Sequence, residues 1–377
     1  MSDLRWPCVA ACVMALLSAC SAGVSDADEP ARPSAPSDFA ATFEVGSLIA
    51  LVAGDGQAWV LTSEDDRASL ARIDHTGRST DVVRLSGQHF GMAPHGDGVV
   101  VTRRACAAEE CEETAVEALV VDAAGETVAE VEIAREWGGL DTSGEGPGDE
   151  LLGVQGDVVW MRVAGELVGH DLSTGRTTTA EPVAPGALTC LLADGLHALV
   201  VVDEDYFNAT IVIPAEGPGP AFDVEVQRLV DGTWTPVPES SRTLTHDEIY
   251  WQSCTGGGLA AGGGSEPAPA WSAASGWVER GPYRRYPDAA TAPEPTARGS
   301  AGQLFVLVGA GVVRRWFAGP DGPMSSEVLE VPADVFVQLY EPQVWLTFDA
   351  SDTVAAGCIQ RHGERELQRH RCWLGSR

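Results

Sequence analysis

Six cysteines, three carboxylates in a glycine-rich stretch and a knot of arginine and histidine near residue 370 are the groups in this 377-residue chain whose types and spacing suggest chemistry. Cys106, Cys111, Cys190, Cys254, Cys358 and Cys372 form an even set, and in an oxidising compartment an even set pairs as disulfides. Proximity favours Cys106–Cys111 across the short acidic segment AAEE. Cys358 and Cys372 would clasp a hairpin about residue 365, with Gly363 able to turn the chain, and Cys190–Cys254 follows by elimination. A zinc site is disfavoured, because no cysteine pair has ribbon spacing with a matching second half. Asp141, Glu145 and Asp149 share one stretch, GGLDTSGEGPGDE. Oxygen ligands on such a loop suit calcium, though the spacing is not that of an EF-hand, and a solvated acidic loop is the plainer reading. Arg361, His362, Arg365, Arg369, His370 and Arg371 would hold an anionic ligand or pair with Glu364 and Glu366. His89 and His95 flank a strand-to-turn region and read as loop polar residues.

Other chemistries have no foothold. The chain has no Gly-x-Ser-x-Gly elbow, no P-loop, no dinucleotide fingerprint opening a helix and no His-Glu-x-x-His. Its net charge of −31 argues against nucleic acid as a partner and against electrostatic docking on anionic lipid. The charge is uneven: residues 1–240 hold 12 Arg and 40 acids, residues 241–377 hold 12 Arg and 15 acids. No lysine occurs anywhere.

The N-terminal segment carries an address. Arg5 precedes an apolar stretch from Trp6 to Leu17, a length that suits a signal-peptide core and is too short to span a bilayer. The stretch ends Leu17-Ser18-Ala19-Cys20, which resembles the lipobox of bacterial lipoproteins. That resemblance implies cleavage after residue 19 and a diacylglyceryl group on Cys20, holding the mature protein to a membrane. Residues 21–37 (SAGVSDADEPARPSAPS) are small, acidic and proline-rich, the composition of a flexible spacer. The expected organisation is a signal peptide over 1–19, a lipid-bearing spacer over 20–37 and a folded domain over 38–377, outside the cytoplasm.

Stepping along that domain, short Val/Leu/Trp/Thr runs alternate with Gly, Asp and Pro turns, the signature of strands. The runs recur as a unit. A Gly/Asp turn enters an apolar strand, and a second strand ends in Asp-x-x-Gly or similar. The first three copies are Gly54-Asp55-Gly56 with AWVLTS and SLARIDHTGR, Gly96-Asp97-Gly98 with VVVTRR and ALVVDAAGE, and Gly156-Asp157 with VVWMRV and ELVGHDLSTGR. Further units begin near Asp194, Gly257, Gly302 and Pro342. Units of about 40–50 residues built of short strands resemble the blades of a β-propeller, since a lone blade cannot bury both faces and must stack. The fold expected is all-β, a propeller of seven blades with six or eight as variants; a pair of β-sandwiches is the alternative. The seventh unit is one strand short, and residues 38–46 can supply it from the other end of the chain. Trp59, Trp160 and Trp345 fall in strands and belong to the core, whereas Trp137, Trp234, Trp251, Trp271 and Trp277 lie near turns. With a propeller favoured and no catalytic motif, the expected function is binding or scaffolding of an envelope protein, peptide or glycan. The rival is a lyase or hydrolase acting on envelope or extracellular glycan or peptide.

Overall fold

A strand buried on both faces reads as a continuous apolar run rather than an alternating one. The runs AWVL, GVVVT and VVWM are of that kind, and each becomes the second strand of a sheet packed between two neighbours. The computed structural model describes residues 41–64, 67–106, 113–137, 149–181, 183–184, 187–203, 206, 220–250, 252–255, 258–261, 269–279, 296–298, 304–309, 312–318, 324–330, 346–351, 353–360 and 370–376. They belong to the unit Ser34–Arg377.

The first strand, β1 (Ala41–Val45), joins the last blade. Blade 1 is β2 (Ser47–Ala53), β3 (Gln57–Glu64), β4 (Arg67–Asp74) and β5 (Ser79–Ser86). Blade 2 is β6 (Gln88–His95), β7 (Gly98–Cys106), β8 (Glu113–Val121) and β9 (Thr127–Trp137). Blade 3 is β10 (Glu150–Gln155), β11 (Val158–Val163), β12 (Glu166–Asp171) and β13 (Arg176–Ala180). Blade 4 is β14 (Leu188–Leu192), β15 (Gly195–Val201), β16 (Ala221–Val230), β17 (Thr233–Pro236) and β18 (Arg242–Thr245), followed by the short helix α1 (His246–Tyr250). Blade 5 is β19 (Ser253–Thr255), β20 (Gly258–Ala260), β21 (Pro269–Ser272) and β22 (Gly276–Glu279). Blade 6 is β23 (Thr296–Arg298), β24 (Leu304–Gly309), β25 (Val312–Ala318) and β26 (Met324–Glu330). Blade 7 is β27 (Leu346–Ala350), β28 (Val354–Gln360) and β29 (His370–Ser376), completed by β1.

Every pairing is antiparallel and joins chain neighbours, except β16 with β18 and β1 with β29, where Ala41 meets Leu374 and Val45 meets His370. The first strands of blades 1 to 5 lie side by side in order, and β27 returns to β2. The described sheets therefore form a closed seven-bladed β-propeller. Between blades sit the cores. Val99 and Val101 pack with Trp59, Leu61 and Leu70 of blade 1, while Val100 between them packs with Val159 and Met161 of blade 3. The two-residue period of a strand thus divides one valine run between two interfaces.

The repeated turns have a chemical basis. Asp74 Oδ1 accepts from the amides of Thr76 and Arg78, Asp122 Oδ1 from those of Ala124 and Glu126, and Asp171 Oδ1 from those of Ser173 and Thr174. Gly77, Gly125 and Gly175 close these turns with φ of 78°, 85° and 69°, a left-handed backbone that glycine adopts without penalty. These are the third-to-fourth strand hairpins of blades 1 to 3. Two details differ from expectation. LTFDA, read as part of a second strand, is the innermost strand of blade 7, and the corner turn follows it before Val354, so the marker at Pro342, itself outside the described residues, is one strand early. The outer strand of blade 4 is split, β17 pairing with one end of β16 and β18 with the other. Buried Ser240 spans the gap, its hydroxyl accepting from Val226 N at 3.0 Å and lying 3.1 Å from Val226 O.

Two disulfides are present among the described residues. Cys358 and Cys372 are direct register partners with Cα atoms 4.0 Å apart, locking β28 to β29. Cys190–Cys254 joins the innermost strands of blades 4 and 5. Such bonds fit an oxidising, extracytoplasmic setting. Among the described residues no helix is long and apolar enough to cross a membrane.

Candidate functional site

An antiparallel meander sorts its connections onto two ends. First-to-second and third-to-fourth strand turns emerge on one face of the ring, which we call the turn face. Second-to-third strand turns and blade-to-blade links emerge on the other, the loop face. Between the described strands, no turn-face connection exceeds five residues. Every longer one connects strand ends at the loop face: residues 107–112, 138–149, 181–187, 202–220, 246–252, 261–268, 280–295, 331–345 and 361–369.

On the turn face, side chains at or near the ends of innermost strands tie blade 2 to blade 3, blade 3 to blade 4 and blade 7 to blade 1. His95 Nε2 of blade 2 lies 3.4 Å from Asp157 Oδ1 of blade 3. Gln155 of blade 3 donates to Leu192 O and Ala193 O of blade 4 at 3.3 and 2.7 Å. Asp349 of blade 7, only 1% exposed, accepts from Ala53 N of blade 1 at 2.6 Å. Beside it Ser351 donates to Gly54 O, and Thr353 donates to Asp55 while accepting from Gly56 N. Farther out, Arg72 donates to Ala123 O of the next blade. In blade 4, His197 is buried against Trp271 of blade 5, its ring centroid 5.5 Å away, with Nδ1 3.1 Å from Gly195 O. Burial holds the His197 pKa below its usual value, against the opposing pull of Asp194 and of the Gly195 carbonyl, while Arg228 lowers it further. These contacts use the polar groups for blade-to-blade registry.

The loop face has its own anchors where the long connections leave the strands. Asp149, at the foot of β10, accepts from Arg104 of blade 2 and, through Oδ1, from Ala164 N at 3.3 Å. Arg162 pairs with Glu150 at 2.7 Å. Arg103 joins Glu117, Glu130 and the Ser86 carbonyl of blade 1. In blade 4 a capping box starts α1: Thr245 Oγ1 accepts from Glu248 N, and Glu248 accepts from Thr245 N at 2.7 Å. The helix seats Ile249 in the core between blades 4 and 5, with Tyr206 packed edge-on against Phe222 at 4.8 Å.

The sequence-derived candidates are placed as follows. Cys190–Cys254 and Cys358–Cys372 are bonded. Cys106 ends β7, and Cys111 lies outside the described residues, as do Cys20 and the segments before residue 41. Of the calcium candidates, Asp141 and Glu145 lie outside the described residues, and Asp149 is the partner of Arg104. Among the described residues no three His, Cys, Asp or Glu side chains are grouped to hold a metal. In the C-terminal cluster Arg361, His362, Arg365 and Arg369 lie outside the described residues. His370 is buried, with Nδ1 3.0 Å from Gly46 O, so it fastens the link between β1 and β2. Trp271, placed near a turn from sequence, is core at 2% exposure. Trp277 donates to Ser240 O and lies under Arg242, and Trp234 donates to Glu181 O. Sequence reading missed Asp349, Gln155 and Ser240. Gln155 is the last residue of β10 and Asp349 the last but one of β27, positions visible only once strand order is known.

No family model and no curated protein matches the chain. Solved structures resemble it at low identity. The β-propeller domain of the Trilobed protease from Pyrococcus furiosus, described as an open velcro topology, is 10% identical over 87% of this chain and 93% of that one, with a TM-score of 0.47. A puromycin hydrolase is 15% identical over 84% of this chain and 50% of that one, with a TM-score of 0.41. The propeller assignment rests on the strand order and register above.

Proposed function

We propose that the protein is a lipid-anchored, extracytoplasmic module that binds or scaffolds an envelope protein, peptide or glycan through its loop face. The observation that carries this reading is that every connection longer than five residues between the described strands joins strand ends at one face of the ring. Loops set on a rigid scaffold are where recognition is normally placed. The opposite face spends its polar groups on blade-to-blade contacts. The anchor is supported by Leu17-Ser18-Ala19-Cys20 behind an apolar core, and by the two disulfides. The rival reading, a lyase or hydrolase, needs a histidine and carboxylates converging in one dry pocket. No specific observation among the described residues favours it.

The test is capture from envelope extract by the immobilised protein. A partner retained by the natural chain, and lost when residues 207–219 are replaced by a short Gly-Ser turn, supports the reading. Nothing retained, or retention indifferent to loop-face changes, overturns it. The anchor is read separately. Cys20→Ala is expected to abolish lipid labelling and membrane retention; normal fractionation of that variant discards the lipobox.

A further inference from the structure

The direction of the closing strand has a consequence for how the protein stands on a membrane. In blade 7 the corner turn at residues 351–353 is on the turn face, so β28 runs toward the loop face and β29 returns. β1 is antiparallel to β29, with Ala41 opposite Leu374 and Val45 opposite His370. Ala41 is therefore at the turn-face side of the rim. Val45 is at the loop-face side, from which the single residue Gly46 leads directly into β2. The chain preceding residue 41 enters from the side that bears only short, stitched turns.

We propose that the anchored protein holds its turn face toward the membrane and its loop face away from it, so that the loop face meets partners arriving through the aqueous phase rather than lipid or membrane-embedded protein. This rests on the attachment of lipid at Cys20. The argument is one of reach. Residues 21–40 number 20, and a flexible chain of that length has a root-mean-square span of about 25 Å. The eight-residue strand β4 alone covers about 25 Å between the faces. To bring the loop face down, the tether must leave the turn-face rim, pass the full depth of the ring and still reach the bilayer, which holds it beyond its root-mean-square span, at roughly half of a full extension of about 70 Å. With the turn face down, the same tether is relaxed. Charge does not reverse the preference. The corner turns carry Asp55, Asp97, Asp157 and Asp194, but the loop-face connections of blades 1 to 4 are acidic as well.

The absence of lysine makes the test direct, because a single introduced lysine is a unique side-chain amine. Arg67 and Arg78 are exposed and mark opposite ends of the same strand, Arg67 at the loop face and Arg78 in the third-to-fourth strand turn at the turn face. Arg67→Lys and Arg78→Lys keep the charge. Each full-length lipidated variant is placed on phosphatidylcholine vesicles, whose headgroup has no primary amine, and reacted with a large amine-reactive polyethylene glycol. The natural protein gives the background from any free amine at Cys20. Expected is a several-fold slowing of the Arg78→Lys reaction on vesicles relative to detergent solution, with Arg67→Lys unchanged. Equal slowing of both, or slowing of Arg67→Lys alone, overturns the orientation while leaving the anchor intact. Vesicle association that persists in Cys20→Ala overturns the anchor, and the orientation with it.

Discussion

At the scale of single residues, glycine contacts and buried imidazoles give the sharpest expectations. Gly357 sits opposite Trp373, and a Cβ there would lie 2.1 Å from the indole ring. Gly357→Ala should therefore destabilise the fold by about 1–3 kcal/mol through overpacking. Gly56 has open space around it but a φ of 67°, so Gly56→Ala should cost only about 1 kcal/mol, from backbone strain alone. Denaturant midpoints of the two variants rank them, and a reversed order would refute the packing argument. The pH response is one-signed. Burial lowers the pKa of His170, outweighing the pull of Asp171, and it lowers that of His197. The unfolded chain then takes up the imidazole proton first. These groups contribute full stability above about pH 6.5 and lose it as pH falls below that. Asp74, held down chiefly by the Thr76 hydroxyl, and Asp171, held down chiefly by the Ser173 hydroxyl, also have lowered values. Their contribution is present above about pH 4 and lost below it. Denaturant midpoints should thus fall on acidification from neutral pH. The double variant His170→Gln, His197→Gln should show a shallower fall between pH 7 and about pH 5; an unchanged slope would place the acid sensitivity elsewhere.

At the scale of elements, Cys190–Cys254 closes a longer stretch than Cys358–Cys372, 64 residues against 14. The chain-entropy model gives about 4 and about 3 kcal/mol. Cys190→Ser with Cys254→Ser should lower the melting temperature further than the matching pair in blade 7, as calorimetry would read. Ser240→Ala should cost about 1–3 kcal/mol, since it strips the hydroxyl that serves Val226 across the split strand. Much of this level was legible in the sequence. The Asp-to-Gly signature, Asp-x-x-Gly twice and Asp-x-x-x-Gly once, located three hairpins because side-chain capping and positive φ are local demands that leave a local trace. The opposition of Cys358 and Cys372 was legible for a similar reason, a hairpin fixing its own register. Blade 7's first strand was misread because VWLTFD looks alike as a first or second strand, and only ring position separates them. The split in blade 4 left no trace, because a serine hydroxyl replacing a strand contact has no characteristic spacing. The stitches of Gln155 and Asp349 were hidden for the same reason: their partners are backbone groups on another blade.

At the scale of the whole molecule, closure is secured twice. Residues 41–45 pair with β29 at the rim, and the corner of blade 7 is bonded to the corner of blade 1 at the inside. Removing residues 1–40 should leave the melting temperature unchanged. Removing residues 1–46 should lower it and raise protease sensitivity of blade 7 first, because β29 becomes an open edge and loses Gly46 as the partner of His370. Equal stability of the two truncations would show that the corner alone suffices. The register of that seam also makes the chain's linear order expendable. Ala41 lies across from Leu374, two residues before the end of β29, so a short link from Ser376 to Ala41 would be one more third-to-fourth strand hairpin like the six others on that side. A circular permutant joined there, and cut instead within residues 207–219, would make blade 7 one continuous meander and leave β15 and β16 of blade 4 as the strands held together by pairing alone. The non-covalent seam would move from the rim strand of blade 7 to the middle of blade 4.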